Sequence, residues 1–177
     1  MPIIKLKNFD CHYLFEDFGH EETLVFSNSL GTNLSMWEDN IDELSHYFNI
    51  LRYDKRGHGK SSIHQDSLTI EELGTDVLEL IDALELKNVS FCGLSIGGLT
   101  GQWLAIHHSN RFNKIIICNT AAKIGTVEGW NARVKQVQEF GLAHILEGTA
   151  TRWFTPEYRE ENPDKVQSIL NDFQNNS

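Results

Sequence analysis

Along the first two thirds of the chain, apolar residues fall in short runs of strand length: Ile3–Lys7, Cys11–Phe15, Thr23–Ser27, Asn49–Tyr53, Val89–Cys92 and Lys114–Cys118. The first two are spaced for a hairpin, and helical periodicity separates the later ones. The clearest helix begins after Ser67, where Thr69 and Glu72 form a capping-box pattern and Ile70, Leu73, Val77, Leu80, Ile81 and Leu84 share one stripe. A hairpin followed by alternating strands and helices predicts an α/β fold with a mostly parallel sheet and flanking helices.

The pattern changes after about residue 124. From Val127 to Leu170 it is helical, with no further strand and with aromatics expected to be exposed, among them Trp130, Phe140, Trp153 and Phe154. Residues 1–124 are therefore expected to form a core and 125–177 part of a helical lid.

Composition narrows the function classes. With 25 acidic and 15 basic residues, the formal net charge of -10 disfavours nucleic acid and anionic membrane surfaces as partners. Neither a signal-peptide h-region nor a membrane-length apolar run is present, so a cytoplasmic location is expected. Cys11, Cys92 and Cys118 are odd in number and widely spaced. They read as small core residues rather than a disulfide framework or a metal site.

The chemistry concentrates at Gly93-Leu94-Ser95-Ile96-Gly97. A buried strand at Val89–Cys92 and a helix from Ile96 to His107 place Ser95 on a sharp strand-to-helix turn, the context in which G-x-S-x-G acts as a nucleophile elbow. Side chains at positions 93 and 97 would crowd the neighbouring strand and helix. The Ile96 N–H, at a helix N-terminus, is positioned to stabilise an oxyanion on the attacked carbonyl. A glycine-rich turn with an incidental serine is the plainer reading, and the surrounding sequence weighs against it.

The loop Phe26-Ser27-Asn28-Ser29-Leu30-Gly31 follows the third strand, where a second oxyanion donor is expected, and the Leu30 N–H is the candidate. Asp54 and Arg56, in Arg52-Tyr53-Asp54-Lys55-Arg56-Gly57-His58-Gly59-Lys60-Ser61, are expected to hold loops together through a charge-assisted hydrogen bond.

Several stretches together resemble the 3-oxoadipate enol-lactonases of the α/β-hydrolase superfamily: Ser27–Thr32, Leu51–Gly59, Gly93–Gly98, Cys118–Gly125, Trp130–Arg133 and Arg152–Pro156. Ile96 departs from the methionine frequent in relatives. The resemblance implies hydrolysis of a small, carboxylate-bearing enol-lactone through a Ser95 acyl-enzyme in the β-ketoadipate pathway of aromatic catabolism, with no metal and no organic cofactor. A chain of net charge -10 needs a local cation for such a substrate, and Arg133 in the lid is the candidate, with Trp130 and Trp153 as pocket walls. Another carboxylesterase, a C–C bond hydrolase or an inactive ligand-binding relative remain alternatives.

A serine hydrolase of this fold carries its acid and base after the nucleophile, on loops following later strands, and the pattern contains no such strands. His107 lies on the helix that starts after Ser95, about 18 Å away at helical rise, and His108 adjoins it. His12, His20, His46, His58, His64 and His144 read as surface or core residues, with His58 the least implausible substitute base. Ile115-Ile116-Ile117 has the composition of a strand flanked on both sides, yet it would be an exposed edge as the last strand. The expectation is a C-terminally truncated chain that lacks the closing strands and has little or no activity alone. It would pair with a complementing C-terminal portion or self-associate through the sheet edge.

Overall fold

The computed structural model describes residues 2–63 and 68–176; Ser67 and His64 lie outside them. Among the described residues six strands form one sheet: β1 (Ile3–Lys5), β2 (Asp10–Glu16), β3 (Thr23–Ser27), β4 (Asn49–Tyr53), β5 (Val89–Leu94) and β6 (Ile115–Cys118), in the order β1-β2-β4-β3-β5-β6. β1 pairs antiparallel with β2, and β2 antiparallel with β4. The β4–β3, β3–β5 and β5–β6 pairs are parallel. This is the mostly parallel α/β sheet that the pattern predicts.

Alternation within the strands divides the core between the two faces of the sheet. Val25, Leu51, Tyr53 and Phe91 join one apolar cluster, whereas Leu24, Phe26, Ile50 and Cys92 join another. The first cluster is closed by α2 (Ile70–Ala83) through Val77, Leu80 and Ile81, and by α3 (Ile96–His107) through Leu104. Each such side chain contributes roughly 1.5–3 kcal/mol on burial. The capping box forms: the Thr69 hydroxyl accepts the Glu72 N–H at 3.2 Å, and the Glu72 carboxylate accepts the Thr69 N–H at 2.8 Å.

Residues 34–44, which the pattern leaves unassigned, form a 3-10 turn (Leu34–Asn40) and the short helix α1 (Ile41–Leu44). Their Trp37 and Ile41 cover the second cluster, and the Trp37 ring stacks on Phe26 at 4.3 Å. Trp37, Ile41 and Leu44 do have helical spacing, but the 3-10 turn interrupts it and leaves a helix of only four residues, too short for a sustained period. Cys11 and Cys92 are buried and Cys118 is half-buried, all as free thiols.

β6 pairs only with β5 among the described residues. Ile116 and Ile117 are 46% and 43% exposed, although their composition suits a covered strand.

The chain divides into two compact units, Met1–Ala122 and Lys123–Asn176. The second contains α4 (Val127–Phe140), α5 (Leu146–Trp153), α6 (Pro156–Glu161) and α7 (Pro163–Gln174). Pro156 and Pro163 open their helices, where a missing N–H costs nothing. Ala150, Val166 and Leu170 form a small core with Leu146, Phe154 and Tyr158. Of the four aromatics expected to be exposed, Phe140 is. Trp130, Trp153 and Phe154 are half-buried, because each finds a partner inside its own unit. The Trp130 indole donates to the Ile124 carbonyl at 2.7 Å, and Trp153 stands edge-on to Phe154 and Phe173. Among the described residues, no helix is long and apolar enough to cross a membrane.

Candidate active site

Ser95 sits between the end of β5 and the start of α3 with φ 58° and ψ -113°. A side chain is rarely found there, and a backbone so strained persists only where its surroundings over-determine it. They do so here: the Ser95 N–H donates to the Cys118 carbonyl at 3.0 Å, and the Thr120 hydroxyl donates to the Ser95 carbonyl at 2.8 Å. The turn also requires close backbone approach. A Cβ at Gly93 would stand 2.1 Å from the Gly97 carbonyl oxygen, and one at Gly97 2.1 Å from that of Ser27. The second contact matters chemically, because it seats the first turn of α3 directly against the loop that carries Leu30.

Among the described residues, no group is hydrogen-bonded to the Ser95 hydroxyl, and the Leu30 and Ile96 N–H groups have no acceptor. At Ile96 this is the ordinary state of a first helical turn. At Leu30 it stands out, because the loop around it is densely bonded. Asn28 donates its side-chain amide to the Tyr53 carbonyl at 2.8 Å and accepts the Trp37 indole N–H at 2.8 Å. The Ser29 N–H meets the Met36 sulfur, and the Gly31 N–H donates to His58 Nε2 at 2.9 Å.

The loop after β4 holds this one from beneath. Asp54 and Arg56 do not pair with each other. Asp54 lies 2.6 Å from His12 Nδ1 and accepts the Leu34 and Lys60 N–H groups at 2.7 and 3.0 Å. Arg56 makes a two-pronged contact with Asp76 on α2, its Nε 2.6 Å from the carboxylate. Both carboxylates are almost fully buried, so each needs the partners it has. Buried Lys55 donates from Nζ to the carbonyls of Asn28 and Ser29 at 2.9 and 3.0 Å. Burial pulls the pKa of Lys55 down to about 7, against the pull of Asp54.

His58 is unsuited to act as a base. Its Nδ1–H donates to the Arg56 carbonyl at 2.9 Å, which leaves Nε2 as the acceptor of the Gly31 N–H, so both ring nitrogens are engaged. Burial, reinforced by Lys55, lowers its pKa to about 4. Among the described residues, His12 Nδ1 is engaged by Asp54, His20 by the Ser45 carbonyl at 2.9 Å, and His107 and His108 pack against Trp103 on α3, while His46 and His144 pack against Tyr47 and Phe140.

In the second unit, the Arg133 guanidinium lies 5.5 Å above the Trp130 ring. Burial, then repulsion from Arg152, lowers its pKa. The structure thus brings together two of the three residues expected to contact substrate, while Trp153 packs against Phe154 and Phe173. Among the described residues, no cluster of three or more His, Cys, Asp or Glu side chains could hold a metal ion.

Known proteins place these features in context. The sequence profile of the alpha/beta hydrolase fold matches residues 22–171. 3-Oxoadipate enol-lactonase 2 of Acinetobacter baylyi is 46% identical over 97% of this chain, which spans 67% of that relative. 3-Oxoadipate enol-lactonase 1 of the same organism is 43% identical over 83% of this chain, which spans 55% of its length. The crystal structure of the enol-lactonase from Burkholderia xenovorans LB400 superposes with a TM-score of 0.95 at 40% identity, covering 99% of this chain and 68% of that one.

Proposed function

The chain belongs to the α/β-hydrolase fold family and, within it, to the family of 3-oxoadipate enol-lactonases, and on that premise we propose that it carries the nucleophile and oxyanion hole of a cytoplasmic enol-lactone hydrolase. The substrate is 3-oxoadipate enol-lactone and the product 3-oxoadipate, in the β-ketoadipate route of aromatic catabolism. The observation that carries the proposal is the strained Ser95 at a helix N-terminus, beside a loop in which the Leu30 N–H, between the bonded Ser29 and Gly31 N–H groups, has no acceptor among the described residues.

Ser95 Oγ attacks the lactone carbonyl, and the hydroxyl proton passes to a general base. The tetrahedral oxyanion is met by the Leu30 and Ile96 N–H groups and by the dipole of α3. Collapse breaks the ring C–O bond, the proton taken from Ser95 returns to the departing enol oxygen, and the enol tautomerises to the ketone; water then hydrolyses the acyl-Ser95 to the free acid and restores the serine hydroxyl. No described residue is bonded to the Ser95 hydroxyl as that base, so turnover by this chain alone is low. It is not zero, because an oxyanion hole without its base still accelerates such reactions about a thousandfold over water.

Arg133 binds the substrate carboxylate, with Trp130 and Trp153 as apolar walls. A guanidinium already depressed by burial and a second cation gains most from an anion. Titrating the product dicarboxylate against tryptophan fluorescence tests this: Arg133→Ala should weaken binding about tenfold, and an unchanged affinity would exclude Arg133. Hydrolysis of the enol-lactone, followed by its ultraviolet absorbance, tests the substrate itself. A neutral ester turned over faster than the lactone would favour a general carboxylesterase.

A further inference from the structure

The loop after β4 contributes no reacting group, yet its side chains reach three consecutive peptide units of the loop that carries Leu30. Lys55 Nζ holds the Asn28 and Ser29 carbonyls at 2.9 and 3.0 Å. The Ser29 carbonyl also accepts the Thr32 hydroxyl at 3.0 Å and the Thr32 N–H at 3.3 Å. The next peptide along gives its N–H, that of Gly31, to His58 Nε2 at 2.9 Å. Gly31 has φ 83°, a conformation that suits glycine.

Peptide planarity turns these contacts into a direction. The Ser29 carbonyl and the Leu30 N–H belong to one trans peptide, in which C=O and N–H point to opposite sides. An ammonium anchored to that carbonyl therefore aims the Leu30 N–H away from Lys55. The flanking Gly31 N–H is occupied, which prevents the loop from rotating so as to exchange one donor for the other.

We propose that Lys55 and His58 are positioning residues of the oxyanion hole: the buried ammonium orients the Ser29–Leu30 peptide, and the neutral imidazole takes up the Gly31 N–H so that Leu30 is the donor presented. The inference rests on the reading of Leu30 as an oxyanion donor. The histidine must remain an acceptor at Nε2, and its surroundings keep it so. Burial and the Lys55 charge disfavour the imidazolium, outweighing the Arg56 carbonyl and Asp54 on the other side.

Heteronuclear magnetic resonance on the 15N-labelled chain tests this directly, since an N–H···N hydrogen bond transmits a coupling between its two nitrogens. We expect a cross-peak between the Gly31 amide and His58 Nε2, slow solvent exchange at Gly31 and fast exchange at Leu30. His58→Leu should accelerate Gly31 exchange about tenfold, as for the loss of one hydrogen bond, while Val25 and Leu51 in the sheet change less than about twofold. His58→Gln keeps an acceptor within reach and should restore protection to within about threefold. Lys55→Met should shift the Leu30 and Gly31 amide resonances and leave those sheet amides in place. Absence of the coupling in the unaltered chain would overturn the proposal. So would equal acceleration of sheet and loop amides in His58→Leu, or failure of His58→Gln to restore protection. The parent reading fails separately, by ester turnover that survives Ser95→Ala while the Gly31–His58 coupling is intact.

Discussion

Substituting alanine at Gly97 tests whether the elbow and the oxyanion loop are one mechanical unit. The added methyl carbon would stand 2.1 Å from the Ser27 carbonyl oxygen, 2.7 Å from its carbon and 2.9 Å from the Asn28 carbonyl oxygen. Close C–H···O contacts lie near 3.3 Å, so α3 and the loop must separate by about 1 Å. The obstructing atoms are backbone, so no rotamer change relieves the clash. Ser27 and Asn28 are wholly buried, and Asn28 is tied by its side chain to Tyr53 and Trp37. Overpacking of a rigid core costs about 1–3 kcal/mol, and this site belongs at the upper end. In urea unfolding, that lowers the midpoint by about 1–2 M with an unchanged slope. The same 1 Å displaces the Leu30 donor from the Ser95 site, and misplacement on that scale costs about a hundredfold in rate. A midpoint and an acylation rate both matching the unaltered chain would refute the close packing of α3 against the loop.

Three further outcomes follow from the side-chain network and the sheet edge. Asp76→Ala removes the carboxylate that the buried Arg56 guanidinium grips in two places and should cost about 3–5 kcal/mol in urea unfolding, while Arg56→Leu combined with Asp76→Leu should cost less than the sum of the single changes; strict additivity would contradict a coupled pair. His58 has a folded pKa of about 4 against about 6.5 unfolded, so between these values the unfolded chain holds the extra proton and stability falls as pH drops, by at most ~1.4 kcal/mol per pH unit. His58→Gln should flatten that dependence, and equal slopes of urea midpoint between about pH 6.5 and 4.5 in both proteins would exclude a neutral buried His58. Ile116 and Ile117 on the one-sided strand β6 predict concentration-dependent self-association through that edge, which Ile117→Lys should suppress in sedimentation velocity; a chain that stays monomeric at all concentrations would count against it.

Much of the scaffold was legible because its signals are local and repeated. Strand-length apolar runs, the Thr69–Glu72 capping box and the glycines at 93 and 97 each state a backbone requirement within a few residues. What escaped was tertiary. The roles of Lys55 and His58 arise only when the loops after β3 and β4 lie side by side, and no spacing within residues 52–61 encodes which carbonyls Lys55 will reach. Asp54 and Arg56 were expected to hold loops together through a charge-assisted hydrogen bond; each makes charge-assisted contacts, but to partners 20 or more positions away that lie mostly on regular elements: His12 on β2 and the Leu34 N–H for Asp54, and Asp76 on α2 for Arg56. The half-burial of Trp130 and Trp153 likewise depends on neighbours that a helical pattern does not specify.

The central claim, that Ser95 is the nucleophile, is tested most directly by covalent trapping. The chain is exposed to excess 4-nitrophenyl acetate, quenched in acid and mapped by peptide mass spectrometry. The account predicts one acetyl group on the peptide containing Ser95, formed faster than on any lysine and absent from Ser95→Ala. Acetylation elsewhere at the same rate, or labelling undiminished in Ser95→Ala, would contradict it.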